Sequence, residues 1–228
     1  MSEKALKLTI FAATGGVGSE ILTQAVKADH EITAVVRNLK KLSGTVPDLQ
    51  VITANLAAAE PKTIEAAVAG ADAVLSGLGA SSNAEAGIAA QGTRAIVDAM
   101  QATNVRRIVV ISAAPVATMP SPGRPNPGRD PGDGFLMRYV LTPFIQLVLR
   151  KVYEDHVLME QILRDSDLDW TIFRPPQLIN KPLSGKYRTA LGQNLRGGFR
   201  ISRADLAHAM LMSLDHPETI RRTVGIAY

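Results

Sequence analysis

Apolar residues in this chain fall into short runs that alternate with stretches of helical spacing. Residues 6–12 (LKLTIFA) form an apolar, β-prone run, and residues 16–27 follow with Val17, Ile21, Leu22 and Val26 on one face of a helix. The alternation continues. Strands are expected at 31–36, 49–53, 73–78 and 106–112, separated by a short helix at 39–42, a helix at 63–69 and a long helix around 87–103. Several of the strand runs lack a polar alternate, as strands covered on both faces do. The pattern predicts an α/β fold with a doubly wound, mostly parallel sheet and helices on both faces.

After residue 112 the pattern breaks. Residues 115–134 hold six prolines and four glycines, too many for a regular element, so a loop is expected there. A loop this long in a compact fold is commonly a lid or a binding loop. Helices at 135–150 and 152–164, a strand at 170–173, an irregular stretch, a helix at 203–214 and a strand at 223–227 follow. Residues 1–228 are expected to form one domain, with the insertion and helix at about 115–150 covering a substrate pocket. Within 135–149, Met137, Val140, Leu141, Phe144, Ile145 and Val148 could roof a hydrophobic substrate, form a subunit contact or pack on the core.

Composition narrows the function classes. Hydrophobic residues are 46% of the chain and charged residues 20%, which supports a large buried core and argues against disorder. With no cysteine, a disulfide framework, a thiolate metal site and a thiol nucleophile are all excluded. The first residues are charged and lack a leader's apolar stretch, and 135–149 is interrupted by Arg138 and Pro143 and is too short to span a bilayer. A cytoplasmic protein with no membrane partner is expected. The net charge of +4 is scattered rather than gathered into a basic run or stripe, which suits an anionic cofactor and gives no support to a nucleic-acid partner. Histidines and carboxylates show no metal-ligand spacing, so no metal is predicted.

The first strand and first helix are joined by Ala12, Ala13, Thr14, Gly15, Gly16, Val17 and Gly18. Glycines there let a backbone approach a pyrophosphate, and the helix start offers free N–H groups and a partial positive charge. The phosphate-binding turn of a Rossmann-type fold is expected here, the alternative being a merely structural turn. At the end of the second strand, an acidic residue would accept ribose hydroxyls of NAD(H), whereas an arginine pairs with the 2′-phosphate of NADP(H). Arg37 stands there, with Lys40 and Lys41 just beyond, so NADP(H) is preferred over NAD(H).

Four stretches carry a family likeness: ATGGVG at 13–18, VVRN at 35–38, RPPQLINKPLSGKY at 174–187 and ISRADLAHAML at 201–211. With them the chain resembles the atypical short-chain dehydrogenase/reductase superfamily, in its NAD(P)H-binding branch of NmrA-like proteins and the biliverdin-IXβ reductase (flavin reductase) group. The resemblance implies that Thr14, Gly15, Val17 and Gly18 meet the pyrophosphate and Arg37 the 2′-phosphate. It puts Asn55 and Leu56 beside the adenine, Leu78 and Gly79 along the cofactor ribose, Ser112 and Ala113 at the nicotinamide, and Pro175, Pro176 and Gln177 closing the nicotinamide side. The chain departs from the family at four of these places: Ala12 stands where the turn usually begins with glycine, Asn55 where aspartate is frequent, and Ala113 and Gln177 where the biliverdin-IXβ reductase group has serine and histidine.

The superfamily's usual proton donor is a tyrosine with a lysine four residues on. Here Tyr139, Tyr153 and Tyr187 are followed at that distance by Pro143, Val157 and Leu191. Candidates for catalytic roles are Ser112 at a central strand end, and Tyr153 and His156 one turn apart on a helix, unless those two form an ordinary helix-surface pair. His30, His208 and His216 are expected to be structural. Arg174 could meet a substrate anion or be a buried arginine tied to a carboxylate such as Asp155. The expected function is an NADPH-dependent reductase of a planar or hydrophobic small molecule (flavin, quinone, tetrapyrrole or polyketide-like ketone), in a monomer or homodimer. The alternatives are an NmrA-like NADP(H)-binding sensor without catalysis and an NAD(P)-dependent epimerase or isomerase.

Overall fold

The computed structural model describes residues 5–42, 49–80, 82–132 and 148–228. Five strands and three helices come first: β1 (Lys7–Phe11), α1 (Gly18–Lys27), β2 (Glu31–Val36), β3 (Gln50–Thr53), α2 (Pro61–Val68), β4 (Ala73–Ser76), α3 (Ile88–Ala102) and β5 (Arg107–Ile111). Then follow α4 (Arg150–Asp165), β6 (Asp169–Arg174), β7 (Gln177–Ile179), β8 (Arg188–Leu191), β9 (Arg200–Ser202), α5 (Arg203–Met212) and β10 (Arg222–Ala227). The main sheet runs β3-β2-β1-β4-β5-β6-β10-β8, with β8 antiparallel to β10 and every other pair parallel. Strand order reverses beside β1, the switch point at which such sheets bind ligands.

The pleat divides the core into two layers. Leu8 and Ile10 of β1 and Val109 and Ile111 of β5 face α1 and α5, where they meet Ile21, Leu22, Leu206 and Met210. Phe11, Ile108, Val110 and Ile172 face the opposite way, onto Ile64 of α2, Ile96 and Met100 of α3, and Met159 and Leu163 of α4. Both faces are therefore covered, as the unbroken apolar strands require. Following the same alternation, Ser112 and Arg174, just beyond Ile111 and at the end of β6, turn toward α4.

The seven expected strands are the seven parallel strands of the main sheet, whereas β7, β8 and β9 lie in the stretch expected to be irregular. β7 and β9 form a separate parallel pair. The expected loop also needs correction at its start, where residues Ala114–Thr118 form a 3-10 helix with Pro115 in its first turn and Val116 and Ala117 buried. The last helix ends at Met212 and passes into a 3-10 turn, Ser213–Asp215. The helix expected at 135–150 lies for the most part outside the described residues. Among those described, no helix is long and apolar enough to cross a membrane.

Candidate functional site

The turn between β1 and α1 is built around Ala12, whose φ of 57° is left-handed. The Ala12 carbonyl accepts from Gly15 N at 2.8 Å, closing the turn, and Gly15 O then accepts from Ser19 N at 2.9 Å to open the helix. A methyl on Gly18 would collide with the Ala12 carbonyl oxygen, so the helix start packs directly on the strand end. Val17, at the N-cap position of α1, makes no side-chain cap, and the first N–H groups of a helix need an outside partner. A left-handed alanine costs about 1–2 kcal/mol, and glycine would return part of that as chain entropy. Ala12→Gly is therefore expected to stabilise the fold by roughly 0.5–1 kcal/mol, read as a higher urea midpoint. An unchanged or lower midpoint would mean that Ala12 sits there without strain.

A groove of about 390 Å³ runs from this turn across the switch point. Ala12, Thr14, Gly15 and Gly16 form one end, Arg37, Asn38 and Lys41 one edge, and Ala54, Asn55, Leu56, Leu78, Gly79 and Ile88 the apolar wall and far rim. Its size lies in the usual range for small-molecule sites. Arg37 and Lys41 are exposed, and Asn38 fixes the short turn between them by accepting from Lys40 N at 3.0 Å. Thus the groove gathers nine sequence-picked residues: Ala12, Thr14, Gly15, Gly16, Arg37, Asn55, Leu56, Leu78 and Gly79. Val17 and Gly18 are buried beneath it. Gly77, Glu85 and Ile88 also line it without having been singled out: Gly77 follows β4, Glu85 ends a short 3-10 turn and Ile88 opens α3, and no phosphate-turn or charge signal marks any of them. The free backbone at one end, cations at the edge and flat apolar walls fit a nucleotide whose phosphates lie on the turn.

Beyond Gly79 the ends of β5 and β6 meet α4. Ser112 is buried, and its hydroxyl donates to Glu160 Oε1 at 2.6 Å. Arg174 donates to the same carboxylate through Nε at 2.9 Å and Nη2 at 2.6 Å, and Arg164 adds a third donor at 2.7 Å. Burial by itself would raise the Glu160 pKa, but the charge and hydrogen bonds of Arg174, with Arg164 and Ser112, override it and hold it at about 2. The buried partner of Arg174 is thus Glu160 and not Asp155. Asp155 instead reaches across to α3 and accepts from Ala89 N at 3.0 Å and Ala90 N at 2.9 Å, capping that helix. A carboxylate is favourable there against the helix dipole.

Tyr153 and His156 are both buried, which rules out a helix-surface pair. Tyr153 packs with Val116 and Val157 against the 3-10 helix, and burial raises its pKa. His156 Nδ1 lies 2.8 Å from Val152 O. A carbonyl only accepts, so Nδ1 carries the hydrogen and Nε2 is the free nitrogen. That nitrogen points to the groove's end, 3.6 Å from where a Gly79 methyl would lie.

Ala113 is half-buried and Pro175 buried, and the two are joined through Ala114 N to Pro175 O at 2.9 Å. Pro176 lines a separate small crevice with Arg174 and Asn194, and Gln177 is exposed. None of Ala113, Pro175, Pro176 and Gln177 lines the groove itself. The other histidines have local partners: His30 accepts from Leu6 N, His208 bonds Tyr187 and His216 bonds Glu218. Among the described residues no group of three His, Cys, Asp or Glu gathers as a metal site.

Comparison with known proteins bears on this geometry. The family model described as NAD(P)H-binding matches residues 12–217. The chain is 28% identical over 227 residues to the uncharacterized sugar epimerase YhfK of Bacillus subtilis, covering 97% of this chain and 94% of that protein. A short-chain dehydrogenase/reductase of Veillonella parvula in complex with NADP superposes with a TM-score of 0.78 at 21% identity, over 99% of this chain and 95% of that one. ChuY, an anaerobilin reductase of Escherichia coli O157:H7, superposes at 0.74 with 19% identity, over 97% and 96%. The two structures are alike in fold.

Proposed function

The chain belongs to the NAD(P)H-binding family, and from that premise we propose that it is an NADPH-dependent reductase of a planar or hydrophobic small molecule such as a flavin, quinone, tetrapyrrole or polyketide-like ketone. The observation that carries the cofactor choice is the edge of the groove, where Arg37 and Lys41 stand together. A guanidinium meets a phosphate through a two-donor fork, and an ammonium adds a point charge. The NADP complex of the Veillonella parvula protein supports the same choice.

Bound NADPH would supply the hydride. Thr14, Gly15 and Gly16 would hold the diphosphate, Asn55 and Leu56 flank the adenine, and Leu78 and Gly79 the ribose. Ser112, Ala113 and Pro175 would bound the nicotinamide side, with Pro176 and Gln177 set back from it. The hydrogen of Ser112 is committed to Glu160, and Tyr153 is a poor acid once burial has raised its pKa. Handling of a proton falls to His156 Nε2. We read residues 1–228 as one cofactor-binding domain, with the segment that begins at 115 covering the substrate side. The reductase name of ChuY supports the tetrapyrrole member of the substrate class.

One observation favours a second reading. Because both Ser112 and Tyr153 are tied up in the fold, an NADP(H)-binding sensor without catalysis also fits. Calorimetry with NADPH and NADH, followed by NADPH oxidation against flavins, quinones and biliverdin isomers, separates the two. Turnover of any of them supports the reductase; tight binding without turnover supports the sensor; binding of neither nucleotide would sink both. In the same titrations Arg37→Ser is expected to weaken NADPH roughly 10- to 100-fold, the worth of a charge-assisted pair, and to leave NADH within about twofold. Equal loss for both nucleotides would remove Arg37 from the 2′-phosphate.

A further inference from the structure

The residues 12–18 that form the phosphate turn include no cation, although a diphosphate brings two negative charges to it. A cation arrives from the far end of the chain. A methyl on Gly16 would lie 2.7 Å from Arg203 Nε and 3.0 Å from its Cδ. The Arg203 side chain therefore lies across the outer face of Gly16, an exposed residue of the groove. Arg203 opens α5, and its Nη1 donates to Asn180 Oδ1 at 2.6 Å, just after β7. Among the described residues no carboxylate lies within ion-pair distance of it. A guanidinium has five donors in a fixed fork, and a neutral amide partner does not quench its charge.

We propose that Arg203 is a diphosphate-binding residue, which supplies from α5 the positive charge that the glycine turn lacks, and that Asn180 is its positioning residue. The proposal rests on the NAD(P)H-binding reading. It assigns Gly16 a second role: a side chain there would occupy the space of the arginine. It also separates two cation subsites. Arg37 and Lys41 stand at the groove edge for the 2′-phosphate, and Arg203 stands over the turn for the phosphates that NADP and NAD share.

The test is calorimetric binding of NADPH, NADH and 2′-AMP, which has a 2′-phosphate and no diphosphate, to the wild type and to Arg203→Met, Arg203→Lys, Asn180→Ala and Gly16→Ala. Arg203→Met is expected to weaken NADPH and NADH by the same factor, roughly 10- to 100-fold, and to leave 2′-AMP unchanged. Arg203→Lys should keep part of the affinity as a point charge. Gly16→Ala displaces the flexible end of Arg203 and Asn180→Ala unmoors it, so both should weaken the two dinucleotides by several-fold. Wild-type affinity for both dinucleotides in Arg203→Met overturns the proposal and leaves the cofactor reading intact. A loss shared by 2′-AMP also overturns it, since the whole site has then changed. If the wild type binds neither dinucleotide, the cofactor reading fails, and this proposal with it.

Discussion

Glu160→Gln is expected to lower the free energy of unfolding by about 3–5 kcal/mol, the usual cost of stripping one partner from a buried ion pair. Glu160 is fully buried, Arg174 is 4% exposed, and the glutamine would leave that guanidinium charged without a counter-charge. Replacing both partners, Glu160→Met with Arg174→Met, should restore most of the loss, because the desolvation cost then disappears from both sides. Denaturant unfolding of the two variants checks this. If the double variant is no more stable than Glu160→Gln, the pair is not the source of the loss.

The same carboxylate sets an acid limb. Its pKa is depressed in the folded protein to about 2 from an ordinary 4.5. The resulting stabilisation, roughly 3 kcal/mol, is present above pH 4.5 and is lost as the pH falls toward 2. Wild-type stability should therefore drop more steeply than that of Glu160→Gln across this window, and parallel curves would refute the assignment.

Gly18→Ala is the second large effect expected, a destabilisation of about 3 kcal/mol together with at least a tenfold loss of NADPH affinity. The added methyl would run into the Ala12 carbonyl and lie 2.8 Å from the Ala12 carbonyl carbon, both of them backbone atoms in the turn itself. Gly77 closes the other side, since a methyl there would lie 3.0 Å from Gly18 N. The strand ends of β1 and β4 and the start of α1 thus meet with no spare space, and relief would require α1 to withdraw from the groove. Gly16→Ala is the matched control, because its methyl meets only the movable end of Arg203 and should leave the melting temperature nearly unchanged. A Gly18→Ala protein that melts and binds as the wild type would show that the turn yields easily.

The inner parallel strands of the main sheet were legible because they are mostly apolar runs covered on both faces and bounded by turn residues, and the edge strand β3, with no fully buried residue, was legible from its short β-prone run between turn residues. β7, β8 and β9 were not, for a reason visible in β8: Arg188, Thr189 and Leu191 are exposed, so no buried face imposes a period-two pattern. The strand forms because β10, far along the chain, offers it an edge. Pro115 was read as a breaker, yet proline fits the first turn of a helix, where its missing N–H is no loss.

The glycine turn and Arg37 could be found from local sequence since the strand, turn and helix that place them are contiguous. Glu160 could not be assigned in that way. Asp155 and Glu160 share a helix, but five residues set them well over a quarter turn apart, so one faces α3 and the other the sheet. The available signal was a charge among apolar positions on the buried face of α4, between Met159 and Leu163. Arg203 reaches Gly16 across nearly the whole chain, a contact that no local pattern encodes.

The place of β10 has a consequence for biosynthesis. It fills the slot between β6 and β8, yet it is made after every other strand of the sheet. Until residues 222–227 leave the ribosome, the nascent chain carries β6 with one row of unpaired N–H and C=O groups, and β8 with no neighbour in the sheet. An unpaired strand flanked by apolar surface is a template for misassociation. Between the emergence of β6 and that of β10 from the ribosome the sheet therefore has an open edge, and that is the stage at which misassociation competes with folding.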